Sequence, residues 1–427
     1  MASPDVAPEH LTFEQARARV MAAVRPLAPE RVELFAARGR ALAEHVIAPH
    51  GLPPFRNASM DGIAVRAADL ARASPAAPVA LAVAATLAAG QVAERALAPG
   101  EAMHIMTGAM LPEGADAVIP VEDLVVAPEG LSAGTELTTG RVFVPRPARP
   151  AENIREPGRD VAAGAIVMRA GRELSAYDLA LLGSLGLAEL SVGKRPRVAI
   201  LSTGDELLEI GAPLRPGAIR DTNLPMLAAL AEQAGAIVVS ASRAADQPDA
   251  VAAAIRAGLA QADVMLTIGG VSAGDFDPVK LSLATLGGIA LWRVAMKPGR
   301  PQAFGAPDGR LFFGLPGNPA SVACVFEVMV RPALRRLQGF HALERPRAFA
   351  RTSERIESRV GRTDFVRVTL AGDADAWRAT PAGDQVSGHL SPQSHAHGLL
   401  VIPPDCAALD SGERAEVMLW RWPEPAA

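Results

Sequence analysis

Cysteine is nearly missing from this chain of 427 residues, which holds two. Cys324 lies inside an apolar stretch and Cys406 follows two prolines, with neither metal-ligand nor redox spacing between them, so a disulfide framework and a cysteine zinc site are excluded. Long apolar runs are missing too: no stretch of about 18 uninterrupted apolar residues occurs that could span a bilayer as a helix. There is no excess of positive charge, and a formal net charge of -4 argues against a broad electrostatic footprint for nucleic acid. Any anion has to be held by local constellations. The first residues carry Asp5 and Glu9 where a secretory leader would have a basic start and an apolar stretch, so the expected compartment is the cytoplasm. Neither a Gly-x-x-x-x-Gly-Lys-Ser/Thr run nor a serine-hydrolase elbow occurs, which removes P-loop ATPase and triad hydrolase chemistry.

What is present is length and apolar content. At roughly 150 residues per domain the prior is about three domains, and 49% hydrophobic residues supply material for several cores. Thr12-Phe13-Glu14-Gln15 fits a capping box and predicts a helix over about 13–24. From about 50 to 150 short apolar runs cut by Pro and Gly, such as 115–121, predict strands and turns, a β-rich insertion. Pro145, Pro147 and Pro150 disfavour helix and central strand and mark the return of the chain to its first domain. A helical stretch over 175–185 then precedes the linker Lys194-Arg195-Pro196.

Beyond residue 195 strand and helix alternate. Val198-Ala199-Ile200-Leu201 is the continuous apolar run of a parallel strand buried on both faces. A helix follows Asn223 and ends near Gly235, Ile237-Val238-Val239 is a strand, Pro248 opens another helix, and 264–268 is a third strand, together a doubly wound α/β signature. Asp277-Pro278 reads as a helix start closed by Gly287-Gly288. Runs 302–305 and 311–314 flank Pro307-Asp308-Gly309, a hairpin signal. Asn318-Pro319 starts a helix whose Val322, Val325, Phe326, Met329, Leu334 and Leu337 fall near one face before Gly339, which predicts packing of that face on the sheet. Over roughly the last 80 residues the pattern becomes alternation, as in 364–370, with strands near 399–402 and 415–419, a small β-barrel.

In an open parallel sheet ligands bind at the carboxyl ends of the strands, where helix N-termini present free N–H groups. Three loops there carry suitable chemistry. Ser202-Thr203-Gly204-Asp205-Glu206 offers hydroxyls and carboxylates for a phosphate edge or a hydrated divalent cation. The loop from Gly269 to Asp277 has glycines that let backbone N–H groups approach an anion, and Gly314-Leu315-Pro316-Gly317-Asn318-Pro319 adds a second helix N-terminus. Arg293, Lys297 and Arg300 supply full positive charge. Glu206, Asp246 and Asp277 in the same cleft would repel an anion unless Mg²⁺ intervened, so the expected ligand is a nucleotide-like phosphate with metal.

Plainer roles exist for several polar residues of the chain. Asp277 serves equally as a helix cap, Asp61, Thr107 and Ser272 as turn residues, and Arg155, Lys297 and Arg362 as solvated charges. His389, His395 and His397 stand without a Cys or adjacent acid and read as loop histidines, not a metal cluster. Cys324 reads as core packing.

Several strings raise the sharper readings. Pro53-Pro54-Phe55-Arg56-Asn57-Ala58-Ser59-Met60-Asp61-Gly62, Ile105-Met106-Thr107-Gly108-Ala109, Asn153-Ile154-Arg155 with Gly158 and Asp160, and the three loops resemble the molybdopterin molybdenumtransferases, the family of the bacterial MoeA proteins and the gephyrin E domain. The resemblance implies a multidomain α/β plus β fold: a discontinuous domain I (1–50 and 146–194), a β-rich insertion as domain II (51–145), a Mog-like doubly wound molybdopterin-binding domain III (195–342) and a β-barrel domain IV (343–427). It implies a homodimer with an active site shared between subunits, a requirement for Mg²⁺, and insertion of molybdate into adenylated molybdopterin with release of AMP. A Mog-type adenylyltransferase is the implied partner.

Carried over by motif, Asp61, Thr107, Arg155 and Asp160 would form the wall given by the N-terminal half. Glu206, Asp246 and Asp277 would hold nucleotide or Mg²⁺, while Ser272, Lys297, Arg300 and Arg293, with Arg362 and Ser387, would surround molybdate and the phosphate being cleaved. Such a site is electrostatic and needs no covalent nucleophile. Ile63 stands where Tyr is frequent, Arg293 and Arg300 where Lys is common, and His397 where Asn is usual. Two alternatives share the fold, an adenylyltransferase acting on molybdopterin and a non-catalytic dimeric scaffold.

Overall fold

The computed structural model describes residues 8–125, 140–270, 287–372 and 377–423. The chain divides into two compact units, one of His45–Arg169 and Ala180–Ala188, the other of Met1–Glu44, Ala170–Leu179 and Glu189–Ala427. No helix among the described residues is long and apolar enough to cross a membrane.

The expected β-rich insertion forms the core of the smaller unit as a five-stranded sheet ordered Ala117–Pro120, Gly62–Val65, Glu101–Ile105, Val79–Leu87, Gly140–Val144. Gly62–Val65 is buried at every residue, because successive side chains of a strand point to opposite faces and here each face has its own core. Ala64 packs with Met103, Ile105 and Val118, and Ile63 and Val65 pack with Leu81, Ala117 and Ile119. In the same unit Ile166–Met168 runs antiparallel to Val46–Ile47.

In the larger unit four parallel strands stand in the order Ile237–Ala244, Arg197–Thr203, Val264–Ile268, Leu311–Leu315. Alternation again assigns the faces: Val198 and Ile200 meet Leu227 and Ala231 of the helix Asn223–Gln233, whereas Ala199 and Leu201 meet Val251 and Ile255 of Pro248–Gln261. The sheet is doubly wound, as the sequence predicts. The hairpin is also present, Pro301–Gly305 running antiparallel to Leu311–Leu315, with Asp308 and Gly309 at φ of 50° and 77°. Ile289–Lys297 adds the next antiparallel strand, and Glu9–Thr12 lies parallel to it. The capping box then starts Phe13–Ala23: the Gln15 N–H donates to Thr12 Oγ1 at 3.1 Å and the Thr12 N–H to Gln15 Oε1 at 2.9 Å.

The helix after Asn318 departs from expectation. It runs as Pro319–Val325, a π turn Phe326–Val330 and Arg331–Leu337, and it is buried on all sides from Ala320 to Arg335, not on one face. Periodicity missed this because three of its charged residues are buried in pairs. Arg345 grips Glu327 with two bonds of 2.9 Å, Arg331 donates to the Leu343 carbonyl at 3.1 Å, and Arg335 reaches Glu173 at 2.8 Å and the Ala342 carbonyl at 2.7 Å.

The C-terminal strands close into a barrel. Thr363–Ala371 pairs with Arg378–Pro381 and Gly398–Ile402, and the circuit closes through Arg347–Thr352 and Arg414–Leu419. Met296 and Lys297 pair with Thr363 and Asp364, so the barrel continues the ladder of the α/β sheet.

Candidate functional site

A cleft of about 1220 Å³ opens at the carboxyl ends of Arg197–Thr203 and Val264–Ile268, with Ser202, Glu206, Asp221, Asn223, Asp246 and Asn318 on its walls. The first and third loops predicted to carry chemistry meet here with the described start of the second, Gly269-Gly270. Gly269 and Gly270 turn the chain out of its strand with φ of 84° and 72°, a region that favours glycine, and the Gly269 N–H donates to the Leu315 carbonyl at 3.0 Å. Asn223 Nδ2 donates to the Gly317 carbonyl at 2.7 Å, tying the third loop to the helix of Asn223. The Asp246 N–H donates to Asp205 Oδ1 at 3.2 Å, which brings the Asp246 loop beside the Glu206 loop. Gly388 and Leu390 of the barrel edge the same cleft, where the Ser387 carbonyl accepts from the Ala320 N–H at 3.0 Å.

The expected cations line other cavities. Arg293, Arg300 and Arg362 share a cavity of about 450 Å³ with His10, Gln15 and Arg359. Lys297 lines a third, of about 260 Å³, with Glu357 and Asp364. Arg362 already pairs with buried Asp364 through bonds of 2.7 and 3.0 Å. The reason is topological: Leu311–Leu315 and Pro301–Gly305 stand between Val264–Ile268 and Ile289–Lys297, three steps of about 4.8 Å each. Ser272 and Asp277 lie outside the described residues.

In the smaller unit the remaining predicted residues gather around one short strand. The Ala58 N–H donates to the Ala109 carbonyl at 3.1 Å, the Gly108 N–H to Ala58 at 2.9 Å and the Ser59 N–H to Asn153 at 2.9 Å, so the three N-terminal strings are neighbours. Thr107 donates from both its N–H and its hydroxyl to Asp61 Oδ1, at 2.6 and 2.7 Å. The hydroxyl first, then the backbone N–H, hold the Asp61 carboxyl below its ordinary range. Arg155 pairs in register with Asn57, and the Asp160 N–H donates to the Leu52 carbonyl at 2.9 Å.

Comparison with known proteins agrees with this architecture. Three family profiles match in order: the MoeA N-terminal region (domain I and II) over residues 11–186, the "Probable molybdopterin binding domain" over 199–336, and the MoeA C-terminal region (domain IV) over 350–420. Molybdopterin molybdenumtransferase 2 of Mycobacterium tuberculosis is 39% identical over 406 residues, 94% of this chain and 96% of that one. The molybdopterin molybdenumtransferase of Haemophilus influenzae is 38% identical over 359 residues, 84% and 85% of the two chains. The chain belongs to the molybdopterin molybdenumtransferase (MoeA) family. Two solved structures of the molybdopterin biosynthesis MoeA protein from Pyrococcus horikoshii, 32% and 28% identical, each superpose with a TM-score of 0.81, cover 97% and 96% of this chain, and are themselves covered completely at 100%.

Several features of this MoeA chain were not legible beforehand. Ser202 Oγ, Asp221 Oδ2 and Asn223 Oδ1 are buried beside the cleft without a hydrogen-bond partner among the described residues. Asp221 and Thr222 precede the helix that begins at Asn223, so their only sequence signal is a helix start, where Asp221 accepts from the Leu224 N–H at 3.1 Å. Gly62 opens a strand, where a Cβ would come within 2.0 Å of the Ile119 carbonyl oxygen. His397 accepts from the Leu370 N–H through Nδ1 at 2.8 Å, and among the described residues no group of three His, Cys, Asp or Glu could hold a metal ion. Cys324, in contrast, is buried in the core as its sequence context predicts, and burial pushes its thiol up.

Proposed function

We propose that the protein inserts molybdenum from molybdate into adenylated molybdopterin and releases AMP, a late step of molybdenum cofactor biosynthesis. The reading rests on one observation: in a MoeA-family chain, Glu206 and Asp246 share a large cleft with the glycine turn of Gly269 and Gly270 at the strand ends. Mg²⁺ fits that donor set. It takes one or two protein carboxylates and completes its shell with water and substrate phosphate, so Glu206 and Asp246 suffice without a three-ligand cage. Bound there, the metal would neutralise charge on the phosphoanhydride.

The residues of the chain supply the rest. The glycine turn and the positive end of the helix at Pro319 are assigned to the phosphate. Arg293, Lys297, Arg300 and Arg362, which line cavities of their own, are assigned with Ser272 and Ser387 to the oxyanions of molybdate and the cleaved phosphate, and Asp277 to the nucleotide or Mg²⁺. Asp61, Thr107, Arg155 and Asp160 are assigned to substrate binding from the smaller unit, supported by the convergence of their three strings on Asn57–Ala58. Domain boundaries at 50, 145, 194 and 342 belong to the same reading, supported by the profile matches that end at 186 and 336. So do a homodimeric state and a Mog-type adenylyltransferase as the source of the adenylate.

The test incubates purified protein with adenylated molybdopterin, Mg²⁺ and molybdate and follows AMP and protein-bound molybdenum together. Both are expected to rise in step, and Glu206→Gln is expected to slow them by about 10²-fold. Adenylate made from ATP and molybdopterin would instead identify an adenylyltransferase, and absence of AMP a scaffold.

A further inference from the structure

The large cleft contains a polar set that the phosphate and metal chemistry above does not use. Ser202 is 0% exposed, Asp221 4% and Asn223 9%. Each lines the cleft, and each has a buried oxygen without a partner among the described residues: Ser202 Oγ, Asp221 Oδ2 and Asn223 Oδ1. Native proteins pair nearly all such atoms, and each exception calls for an explanation, which a bound ligand supplies here.

The other halves of these side chains are fixed. Asp221 Oδ1 accepts from the Leu224 N–H, and the Asp221 backbone N–H donates to the Leu208 carbonyl at 2.9 Å. Asn223 Nδ2 is engaged by the Gly317 carbonyl, which leaves its oxygen, not its nitrogen, unpaired. The set therefore presents a carboxylate oxygen, an amide oxygen and a hydroxyl. A carboxylate and an amide oxygen only accept, so the complementary ligand surface is one of N–H donors.

Of the rings in an adenylated molybdopterin, the pterin carries such an edge. Its 2-amino-4-oxopyrimidine ring places an amino group beside a ring N–H. Adenine offers an amino group next to a bare ring nitrogen, which would confront the carboxylate lone pairs. We propose that Asp221, with Asn223 and Ser202, forms the recognition site for the 2-amino-4-oxopyrimidine edge of the pterin and selects it against adenine. The choice of pterin over guanine rests on the proposed function; recognition of the edge itself does not.

The test measures equilibrium binding of neopterin, guanosine and adenosine to the full-length protein and its Asp221→Asn variant, followed by ligand fluorescence or calorimetry. Asn keeps an oxygen for the Leu224 N–H and turns an amide N–H toward the ligand, so the helix start is retained while the acceptor becomes a donor. Neopterin and guanosine are expected to bind the wild-type protein and to lose about 10- to 100-fold in the variant, as for loss of one charged hydrogen bond; adenosine binding is expected to stay unchanged. Ser202→Ala, which removes one neutral acceptor, is expected to weaken neopterin by a few-fold. In the AMP-release assay Asp221→Asn is expected to raise KM with kcat nearly kept.

Equal neopterin affinity in wild type and Asp221→Asn, no neopterin binding by the wild type, or equal losses for adenosine and neopterin would each overturn the inference. So would an Asp221→Asn defect corrected by higher Mg²⁺, which would make Asp221 a metal ligand. Failure of the wild type to release AMP would sink the proposed function and leave the binding result standing, so the two failures are distinguishable.

Discussion

At the scale of single residues, the paired donors of Thr107 on Asp61 make the clearest chemical statement. The hydroxyl and the N–H both favour the charged carboxylate, so Asp61 titrates below the ordinary range. A depressed carboxyl contributes above its unfolded value and loses that contribution as pH falls through the depressed one. Thr107→Val removes the hydroxyl and keeps the N–H. Its Asp61 carbon resonance is expected to titrate at higher pH than in the wild type, and the acid limb of the AMP-release profile to shift up with it. An unmoved resonance would show that the backbone donor alone sets the carboxyl.

At the scale of elements, two close fits carry testable costs. Glu327 is buried with Arg345 and Arg331, and burial lowers the Arg331 guanidinium to about 10, still charged at neutral pH. Removing the shared anion leaves buried cations without compensation, so Glu327→Ala is expected to cost about 3–5 kcal/mol, read as a lower urea midpoint for the transition of the larger unit. In the smaller unit the strand Gly62–Val65 lies against Ala117–Pro120 so tightly that a methyl on Gly62 meets the Ile119 carbonyl. Gly62→Ala is expected to cost about 1–3 kcal/mol, measured as faster hydrogen exchange of the amides in those two strands with exchange in the α/β sheet unchanged.

At the scale of the whole molecule, the proposed chemistry requires a divalent cation although no closed metal cage exists among the described residues. An open, carboxylate-based site exchanges its metal readily, so EDTA is expected to abolish AMP release and added Mg²⁺ to restore it, with the circular dichroism spectrum unchanged throughout. Sedimentation should give twice the chain mass with or without the metal. Loss of folded signal in EDTA would assign the cation a structural role instead.

Period and punctuation determined much of this protein before any coordinates. The buried run at Val198, the proline at 248 that opens a helix, the Pro307-Asp308-Gly309 hairpin and the Thr12 capping box are local signals, and local sterics and hydrogen bonding suffice to express them. The order of the matching strings likewise marked the family. The sequence also singled out Glu206 and Asp246, which the structure brings to one cleft. Only the tertiary structure decided that Lys297 and the arginines line other cavities, because two strands of the hairpin intervene in the sheet. It alone showed the helix after Asn318 to be buried all round, since charges satisfied by distant partners look like surface in a linear pattern. And it alone exposed the unpaired oxygens of Ser202, Asp221 and Asn223, because whether a polar atom has a partner depends on neighbours that sequence distance does not reveal.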